Sequence, residues 1–298
     1  VCFTIGWMSN WFRKDKAKLI YDSHEYELGR NKKRNALQLC IIKKWEKFMI
    51  KRSQLMIVVN DSIADEIEKI YRLKKRPLVI RNMTHKWNVD VRLCREIRKE
   101  IIGAEGTEQK KTLFLYCGAI CEGRGIETAI KILTYDDNYM LLILGDATSK
   151  DYLEKLIDNA NELGVGSRLR YHKAVPYYQM WKYIGACDIG LILLAGNSKS
   201  YYLSLPNKLF EYIQANVPIL ASDFPEMARI INKYEVGLTC QPNKEATIKD
   251  ALDKMITEDK WKIFRKNTFA AKKKLCWENE KKRLMNAYRK LMSAKGIY

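Results

Sequence analysis

The sequence lacks features that define several protein classes. Its eight cysteines include no C-x-x-C pair, and most lie in apolar runs, as Cys187 does. We therefore expect neither a disulfide framework nor a zinc site, and a reducing cytosol is the simpler environment. The longest mostly apolar stretch, 183–196, is interrupted by Asp188 and is shorter than the roughly 20 residues of a membrane-spanning helix. A secretory signal pattern and internal repeats are also missing.

Acidic residues are scarce relative to basic ones. The 298 residues include 54 Lys+Arg and 35 Asp+Glu, which gives a formal net charge of +19. Such an excess leaves phosphates, anionic lipid surfaces and nucleic acid open as partners. Against a nucleic-acid-binding protein, the sequence contains no zinc-finger, helix-turn-helix or RNP-type signature.

The positive charge is concentrated in the first part of the chain. Residues 1–111 have 26 basic and 14 acidic side chains, a net +12, whereas residues 112–298 have 28 and 21, a net +7. The densest segment, 30–52, has nine basic residues and only Glu46 against them. A helix is predicted over 35–52, with these apolar residues on or near one face: Leu37, Ile41, Trp45, Phe48 and Met49. This helix either buries that face in its domain or rests its basic face on anionic lipid headgroups.

Residues after 111 alternate between short β-rich runs and helical patterns. The predicted strands are 112–118, 140–146, 168–173, 188–194, 218–222 and 236–240. The predicted helices are 126–133, 151–163, 178–186, 207–215, 225–232 and 245–256, and basic helices follow residue 259. This alternation predicts βαβ units and a doubly wound parallel sheet, whose ligand lies beyond the carboxyl ends of the strands.

The first part of the chain repeats this pattern incompletely. It contains three predicted strands, 18–24, 54–60 and 77–82, with helices over 35–52 and 61–71 between them. The sequence starts at Val1, and no strand with a Gly-rich loop precedes Lys18. We therefore expect the N-terminal domain to be truncated.

A change in composition separates the two parts. The segment 83–111 is polar and basic and shows no regular pattern, so it is expected to be an irregular interdomain linker. The resulting domains are 1–100, a partial Rossmann-like domain, and 101–298, a second Rossmann-like domain with basic C-terminal helices.

A glycine-containing loop follows the strand that begins at residue 112. In YCGAICEGRGIETAIKIL the strand ends at Gly118, and a helix opens near Gly125. Backbone N–H groups at such a loop can hold a phosphate, and Arg124 adds positive charge. A strand–Gly–helix turn also occurs for purely steric reasons, so this signal alone leaves both interpretations open.

A second candidate site lies in LSLPNKLFEYIQANVPILASDFPEM. Pro206 precedes a predicted helix, and Asn207 is the predicted N-cap. Lys208 and Glu211 are three residues apart and share a face. A cation in the first turn opposes the helix dipole, which favours an anionic partner such as a diphosphate, and the carboxylate can bind the hydroxyls of a ribose. The alternative is an ordinary exposed Lys–Glu pair.

The histidines point to a sugar contact but not to a metal site. His24 follows a strand in YDSHE, with Asp22 and Glu25 beside it, and can exchange hydrogen bonds with a sugar hydroxyl or an oxyanion. A turn-capping role has comparable weight. The other two, His85 and His172, are too far apart in the sequence to suggest a metal site.

Together these segments resemble retaining glycosyltransferases of family 4, which have the two-Rossmann GT-B fold. The similarity extends through YCGAICEGRGIETAI, LLILGDA, YHKAVPYYQMWKYIGACDIGLIL, SLPNKLFEYIQANVPILASDFPEM and YEVGLTC, in that order and at family-like spacing. YDSHE and VIRNM resemble two segments of the family's N-terminal domain. The resemblance implies an α/β GT-B fold with two doubly wound parallel-sheet domains.

The resemblance also implies roles for eight residues. The catalytic residues are His24, Arg124 and Lys208, and the donor-binding residues are Gly118, His172, Ser204, Asn207 and Glu211. Gly118 and its loop, with Arg124 and Lys208, hold the diphosphate of a nucleotide-activated sugar. Glu211 matches the second Glu of the family's E-x7-E motif, which binds the ribose, and His24 faces the donor sugar. The donor is a substrate, and neither a cofactor nor a metal is implied.

Two positions depart from the family pattern. The first Glu of E-x7-E falls at Leu203, and the basic residue that often follows the strand-end Gly is Ala119. These departures keep open a catalytically inactive GT-B subunit, beside a different GT-B enzyme such as a nucleotide-sugar epimerase and a basic nucleic-acid-binding protein.

The function implied is a retaining, metal-independent hexosyl transfer from a nucleotide-diphosphate sugar to a saccharide or lipid-linked acceptor. Such a transferase takes part in cell-surface polysaccharide or glycolipid synthesis. A lipid-linked acceptor and the basic segment together predict a cytoplasmic protein that lies peripherally on the inner face of the membrane. Nucleic acid is not an expected partner.

Overall fold

The two parallel sheets of the fold belong to two different units of the chain. The computed structural model describes residues 2–29, 34–103, 111–196, 198–256 and 260–293. The first unit falls within Val1–Asn82, Asn197–Leu205 and Glu278–Tyr298, and the second within Met83–Gly196 and Pro206–Trp277. The first change of unit therefore comes after residue 82, whereas the sequence analysis placed the domain boundary at residue 100. Near its C-terminus the chain returns to the first unit with the last helix.

The first unit contains a three-stranded parallel sheet. Its strands are β1 (Ile20–Ser23), β2 (Leu55–Val58) and β3 (Leu78–Val79), in the order β1-β2-β3. Its helices are α1 (Cys2–Ser9), α2 (Ala36–Arg52), α3 (Asp61–Tyr71), α8 (Lys199–Tyr202) and most of α13 (Trp277–Ser293). The predicted strands and helices of this part are confirmed, and the apolar segment before β1 forms α1.

Helix α2 turns its single carboxylate inward. Glu46 is buried and accepts hydrogen bonds from the hydroxyls of Tyr21 (3.0 Å) and Tyr71 (2.5 Å). Burial raises the pKa of Glu46, although the two hydroxyls oppose that change. The helix begins with a capping box between Asn35 and Gln38. Because Glu46 faces the interior, the exposed charges of α2 are all basic.

The second unit contains the predicted six-stranded parallel sheet. Its strands are β4 (Thr112–Cys117), β5 (Tyr139–Leu144), β6 (Leu169–His172), β7 (Ile189–Ile192), β8 (Ile219–Ser222) and β9 (Gly237–Cys240). Their order, β6-β5-β4-β7-β8-β9, is that of a Rossmann sheet. Its helices are α4 (Val91–Ile102), α5 (Ile126–Ile132), α6 (Lys150–Glu162), α7 (Met180–Gly185), α9 (Asn207–Gln214), α10 (Pro225–Tyr234), α11 (Glu245–Ile256) and α12 (Lys260–Ala271). Near-continuous apolar strands such as β4 and β5 are buried on both faces, as helices on each side require.

Helix α4 corrects the predicted linker. The sequence predicted irregular structure over 83–111, but α4 buries Cys94 and Ile102 against the second unit. Arg98, on the same helix, donates hydrogen bonds to the Asp188 carboxylate (2.8 Å) and the Ala186 carbonyl (2.9 Å). Half of the residues of α4 are apolar, but charged residues separate them and only Cys94 and Ile102 are buried, so the amphipathic pattern was missed.

Several expectations concern residues outside the described ones. Residues 104–110 of the predicted linker and residues 30–33 of the basic segment lie outside the described part of the chain. Among the helices of the described part of the chain, none has both the length and the hydropathy needed to cross a membrane. The cysteines for which side chains are described are free thiols.

Candidate functional site

The loop after β4 lies where the strand order of the second sheet reverses. Strand β4 pairs with β5 on one side and with β7 on the other. The sheet is therefore extended in one direction by β5 and β6 and in the opposite direction by β7, β8 and β9. Such a switch point opens a crevice at the carboxyl ends of the strands. The backbone N–H of Ala195, after β7, donates to the carbonyl of Gly123 (3.3 Å), which joins the two sides of the crevice.

Gly125 allows this loop to approach the end of β7. Its φ of 76° lies in the left-handed region, and a Cβ added there would stand 1.7 Å from the carbonyl oxygen of Leu193. Only glycine fits both conditions. The steric interpretation of the glycine loop therefore accounts for Gly125, and a phosphate-binding role must rest on the neighbouring side chains.

Lys208 is the central side chain of the crevice. It is only 9% exposed, and its Nζ lies 3.8 Å from the centroid of the Tyr116 ring. A Cβ added to Gly118 would stand 3.5 Å from the same Nζ, so the ammonium borders the start of the loop. Within the described residues, this ammonium forms neither a hydrogen bond nor an ion pair. The alternative of an exposed Lys–Glu pair is thereby wrong.

The environment of Lys208 disfavours its charge. Burial lowers the pKa of Lys208 to about 8, and the positive charge of Arg124 contributes to the decrease, while Cys117 and Glu211 oppose it. The ammonium remains mostly protonated at neutral pH. A buried charge that lacks a partner is costly, so an anion in the crevice would be strongly favoured.

Glu211 lies one helical turn after Lys208 on α9. Burial raises its pKa, and the charge of Lys208 opposes that rise. Its carboxylate forms no hydrogen bond or ion pair with any residue that the structure describes. It therefore remains available to accept hydrogen bonds from hydroxyl groups of a ligand.

The start of α9 differs from the prediction in one respect. Pro206 is the N-cap, without a side-chain capping bond, and Asn207 is the first helical residue, with its side chain exposed. The prediction that Asn207 caps the helix is wrong, because the chain enters the helix directly after the proline. The amide of Asn207 consequently remains free of the capping role.

A cavity of about 280 Å³ lies beside Gly118 at the carboxyl ends of β4 and β5. Its lining residues are Cys117, Gly118, Ala119, Leu144, Gly145, Asp146, Ala174, Val175 and Met180. The Asp146 carboxylate accepts a hydrogen bond from the backbone of Ala174 (3.1 Å), which shapes one wall. The cavity is mainly apolar and suits the flat ring of a base.

His172 occupies the end of β6, next to this wall. Its Nδ1 lies 2.7 Å from the carbonyl oxygen of Lys173, and its ring centroid is 4.7 Å from that of Tyr183. Its own carbonyl accepts from the N–H of Gly145 (3.0 Å). The imidazole is thus packed in place, and the backbone carbonyl of His172 holds Gly145, which lines the cavity.

Two predicted site residues belong to the first unit. His24 is exposed, and its Nε2 lies 3.4 Å from the Asp22 carboxylate. Ser204 donates a hydrogen bond to the carbonyl of Tyr201 (2.8 Å). The other six, Gly118, Arg124, His172, Asn207, Lys208 and Glu211, belong to the second unit.

Leu203, which replaces the first Glu of the family motif, is a core residue. Its side chain is 6% exposed and packs in the hydrophobic cluster of the first unit with Ile63 and Ile67. Its carbonyl accepts a hydrogen bond from the buried amide of Asn60 (2.8 Å). An acidic side chain at this position would be buried in apolar surroundings, so the role of that Glu is absent here.

Sequence reasoning missed the two tyrosines that support the crevice. Tyr116 lies beneath Lys208, and Tyr212 accepts a hydrogen bond from the backbone N–H of Cys117 (3.1 Å). The Tyr212 ring fills the space over Gly190, where an added Cβ would stand 2.3 Å from it. Both are fully buried, and an aromatic residue in an apolar run is usually read as core. The only sequence signal for a role at the site was spacing: Tyr116 lies two residues before Gly118, and Tyr212 lies four residues after Lys208.

Comparison with known proteins agrees with this geometry. The model of the family described as "Glycosyl transferases group 1" matches residues 97–274, which is more than half of the chain. The chain belongs to this family. The match includes every predicted site residue of the second unit. The family-4 subdivision stays a prediction.

A curated relative is also a member of this functional class. The "Probable glycosyltransferase WbjE" of Pseudomonas aeruginosa is 26% identical over 155 residues. The aligned part is 50% of this chain and 37% of that protein, so the match spans well under half of that relative's length.

Solved structures confirm the predicted fold. The chain superposes on "Anabaena Alr3699/HepE in complex with UDP" with a TM-score of 0.75 and 13% identity, covering 97% of this chain and 76% of that one. Sucrose-phosphate synthase from Thermosynechococcus elongatus gives a TM-score of 0.72 and 16% identity, covering 98% and 73%. At these identities the likeness shows the fold alone, which is the GT-B class with two Rossmann-like parallel sheets.

Proposed function

We propose that this protein transfers a sugar from a nucleotide-diphosphate sugar to a saccharide or lipid-linked acceptor, with retention of configuration. The observation that carries this proposal is the buried ammonium of Lys208, which forms no ion pair or hydrogen bond with the described residues and borders the loop after β4. A cation held this way at a switch point suits a diphosphate. We further propose a role in polysaccharide or glycolipid synthesis, which the naming of the curated relative supports only at the level of glycosyl transfer.

The residues of the crevice suggest how the donor binds. Lys208 and Arg124 hold the diphosphate, and the carboxylate of Glu211 accepts hydrogen bonds from the ribose hydroxyls. The cavity beside Gly118 holds the base, and UDP is the first nucleotide to test because HepE was solved with UDP. His24, Ser204 and Asn207 stay predicted contacts of the donor.

The proposed reaction exchanges one C–O bond for another. The acceptor hydroxyl oxygen bonds to the anomeric carbon on the face from which the diphosphate leaves, and the bond between that carbon and the phosphate oxygen breaks. The electron pair goes to the diphosphate, and a departing phosphate oxygen takes the hydroxyl proton. Lys208 and Arg124 stabilise the negative charge that develops on the leaving group. Metal independence stays a prediction.

A thermal-shift measurement with UDP, GDP and ADP tests donor binding. We expect one nucleotide at about 100 times its Kd to stabilise the protein by about 2.7 kcal/mol, visible as a rise of several degrees in Tm. Transfer from the matching nucleotide sugar to an acceptor then distinguishes an enzyme from an inactive subunit. No shift with any of the three, together with salt-sensitive binding of duplex DNA, would favour the nucleic-acid-binding alternative.

The exposed face of α2 supports a membrane contact. Leu37, Ile41 and Trp45 are 69%, 57% and 47% exposed, so the alternative that this face is buried in its domain is wrong for these three residues. Basic side chains surround them, and Glu46 points away. We propose that this face lies on the anionic surface of the inner leaflet of the cell membrane, with the apolar side chains in the headgroup region.

Co-sedimentation with vesicles tests this contact. We expect vesicles of phosphatidylglycerol and phosphatidylcholine to bind the protein more than phosphatidylcholine alone, and the double variant Ile41→Ser, Trp45→Ser to lose most of that binding. Ile157→Ser is the matched control, because Ile157 is an exposed apolar residue on a helix of the other unit. Equal binding to both vesicle types contradicts the proposal.

A further inference from the structure

Tyr116 contacts both components of the diphosphate site. It is the penultimate residue of β4 and is 1% exposed. The Lys208 ammonium lies over its ring, with 3.8 Å between Nζ and the ring centroid. Its hydroxyl donates a hydrogen bond to the carbonyl oxygen of Ala119 (2.6 Å), in the loop that follows Gly118.

We propose that Tyr116 is a positioning residue for the diphosphate: its ring holds the Lys208 ammonium in place as a cation, and its hydroxyl fixes the loop at Ala119. This inference rests on the proposed function, because it assumes that Lys208 and the loop hold a nucleotide diphosphate.

An aromatic ring has an advantage over a carboxylate beneath Lys208. A carboxylate would neutralise the ammonium and occupy its N–H donors, so it would compete with an incoming phosphate. The face of an aromatic ring attracts a cation through its quadrupole and adds no net charge. The ammonium therefore keeps its charge, and N–H donors remain available for phosphate oxygens.

The neighbouring ionisable groups leave this role to the ring. The ionisable groups nearest to Lys208 are Cys117, Cys121, Arg124 and Glu211. Arg124 repels the ammonium, and burial raises the pKa of the Cys117 thiol to about 12, so that thiol is neutral at physiological pH. Glu211 is the one carboxylate among these groups, and it forms no ion pair with Lys208 in the described part of the chain.

The hydroxyl of Tyr116 acts on the loop rather than on the lysine. Ala119 follows Gly118, where the chain turns away from β4, and it lines the cavity next to the proposed diphosphate. Its carbonyl is held by a residue of the strand itself, so the turn at Gly118 is tied to the rigid sheet. The two parts of the Tyr116 side chain can therefore be tested separately.

The first test is the pH dependence of UDP affinity, measured by calorimetry between pH 7 and 9.5. In the unaltered protein the affinity should be constant up to about pH 8 and then fall, by up to tenfold per pH unit, as Lys208 loses its proton. Tyr116→Leu removes the ring, so the fall in UDP affinity should begin at a pH roughly 0.5 to 1 unit lower. Tyr116→Phe keeps the ring, so the midpoint should not move, while affinity drops a few-fold through the looser loop.

A second variant keeps the shape of the side chain. Tyr116→Phe, with that phenylalanine supplied as its pentafluoro analogue, withdraws electron density from the ring face at nearly constant volume. Its midpoint should lie below that of plain Tyr116→Phe. Tyr139→Leu is the control for lost core packing, because Tyr139 is also buried but begins β5, at the opposite end of the sheet. Its midpoint should equal that of the unaltered protein.

A titration without nucleotide separates this inference from the proposed function. The ¹³C NMR signal of the Lys208 side chain, assigned as the one missing in Lys208→Met, reports its pKa directly. Absence of UDP binding would refute UDP as the nucleotide and leave this titration interpretable. If the midpoint of the Lys208 titration is unchanged or raised in both Tyr116→Leu and the fluorinated variant, the proposed role of the ring is wrong. If Tyr116→Phe binds UDP with unchanged affinity, the proposed role of the hydroxyl is wrong.

Discussion

Lys208→Met is expected to lower donor turnover tenfold or more and, at the same time, to raise the free energy of unfolding. The turnover falls because the leaving diphosphate loses a buried cation, for which roughly 2–4 kcal/mol of transition-state stabilisation is typical. The stability rises because methionine fills a similar volume without burying a charge. A pKa lowered from 10.5 to about 8 corresponds to roughly 3 kcal/mol at neutral pH.

The pH dependence gives this prediction a second signature. The pKa of Lys208 is lower in the folded protein than in the unfolded chain, so the unfolded chain binds more protons between about pH 8 and 10.5. Lys208 should therefore contribute a gain in stability as pH rises through this range, so the stability advantage of Lys208→Met over the unaltered protein should shrink between pH 7 and pH 10. Urea unfolding at pH 7 and at pH 10 measures the difference.

An exposed lysine of the same unit provides the control for Lys208→Met. Lys233→Met, on α10, should leave turnover unchanged and alter stability by no more than about 0.5 kcal/mol. Arg124→Ala should also lower turnover, but without a comparable gain in stability, since Arg124 is only half-buried. Full turnover in both Lys208→Met and Arg124→Ala would contradict the assignment of the diphosphate site.

Gly125→Ala is expected to destabilise the second unit by roughly 3 kcal/mol or more and to abolish nucleotide binding. The added Cβ would stand 1.7 Å from the Leu193 carbonyl oxygen, so either the loop or the end of β7 must shift. That shift displaces Arg124, the adjacent residue. Thermal unfolding and UDP titration measure the two effects.

Gly164→Ala separates this overlap from backbone strain. Gly164 also has a left-handed φ, 68°, but an added Cβ there meets nothing within 4 Å. It should cost only the intrinsic penalty of that conformation, about 1–2 kcal/mol, and leave nucleotide affinity unchanged. If the two alanine variants prove equally stable, the close approach of the loop to β7 is not as described.

The second unit could be predicted from sequence more fully than the first. All six of its strands and the helices between them are recognisable, because buried parallel strands are nearly continuous apolar runs and surface helices repeat every 3.6 residues. Helix α4 was missed, since its buried positions are few among charged residues. The predicted N-cap of α9 was one residue too late, because asparagine is a preferred N-cap residue, whereas in the structure Pro206 occupies that position.

The sequence by itself determined the fold class and the family, and it singled out the residues of the proposed diphosphate site. Those conclusions depend on local spacing, such as the three positions that separate Glu211 from Lys208 on one helix. The tertiary structure alone decided that Lys208 is buried over Tyr116 and that Leu203 belongs to a core. Lys208 and Tyr116 lie far apart in the sequence, so their contact depends on how α9 packs against β4. Burial and charge compensation are properties of such long-range packing, which periodicity cannot reveal.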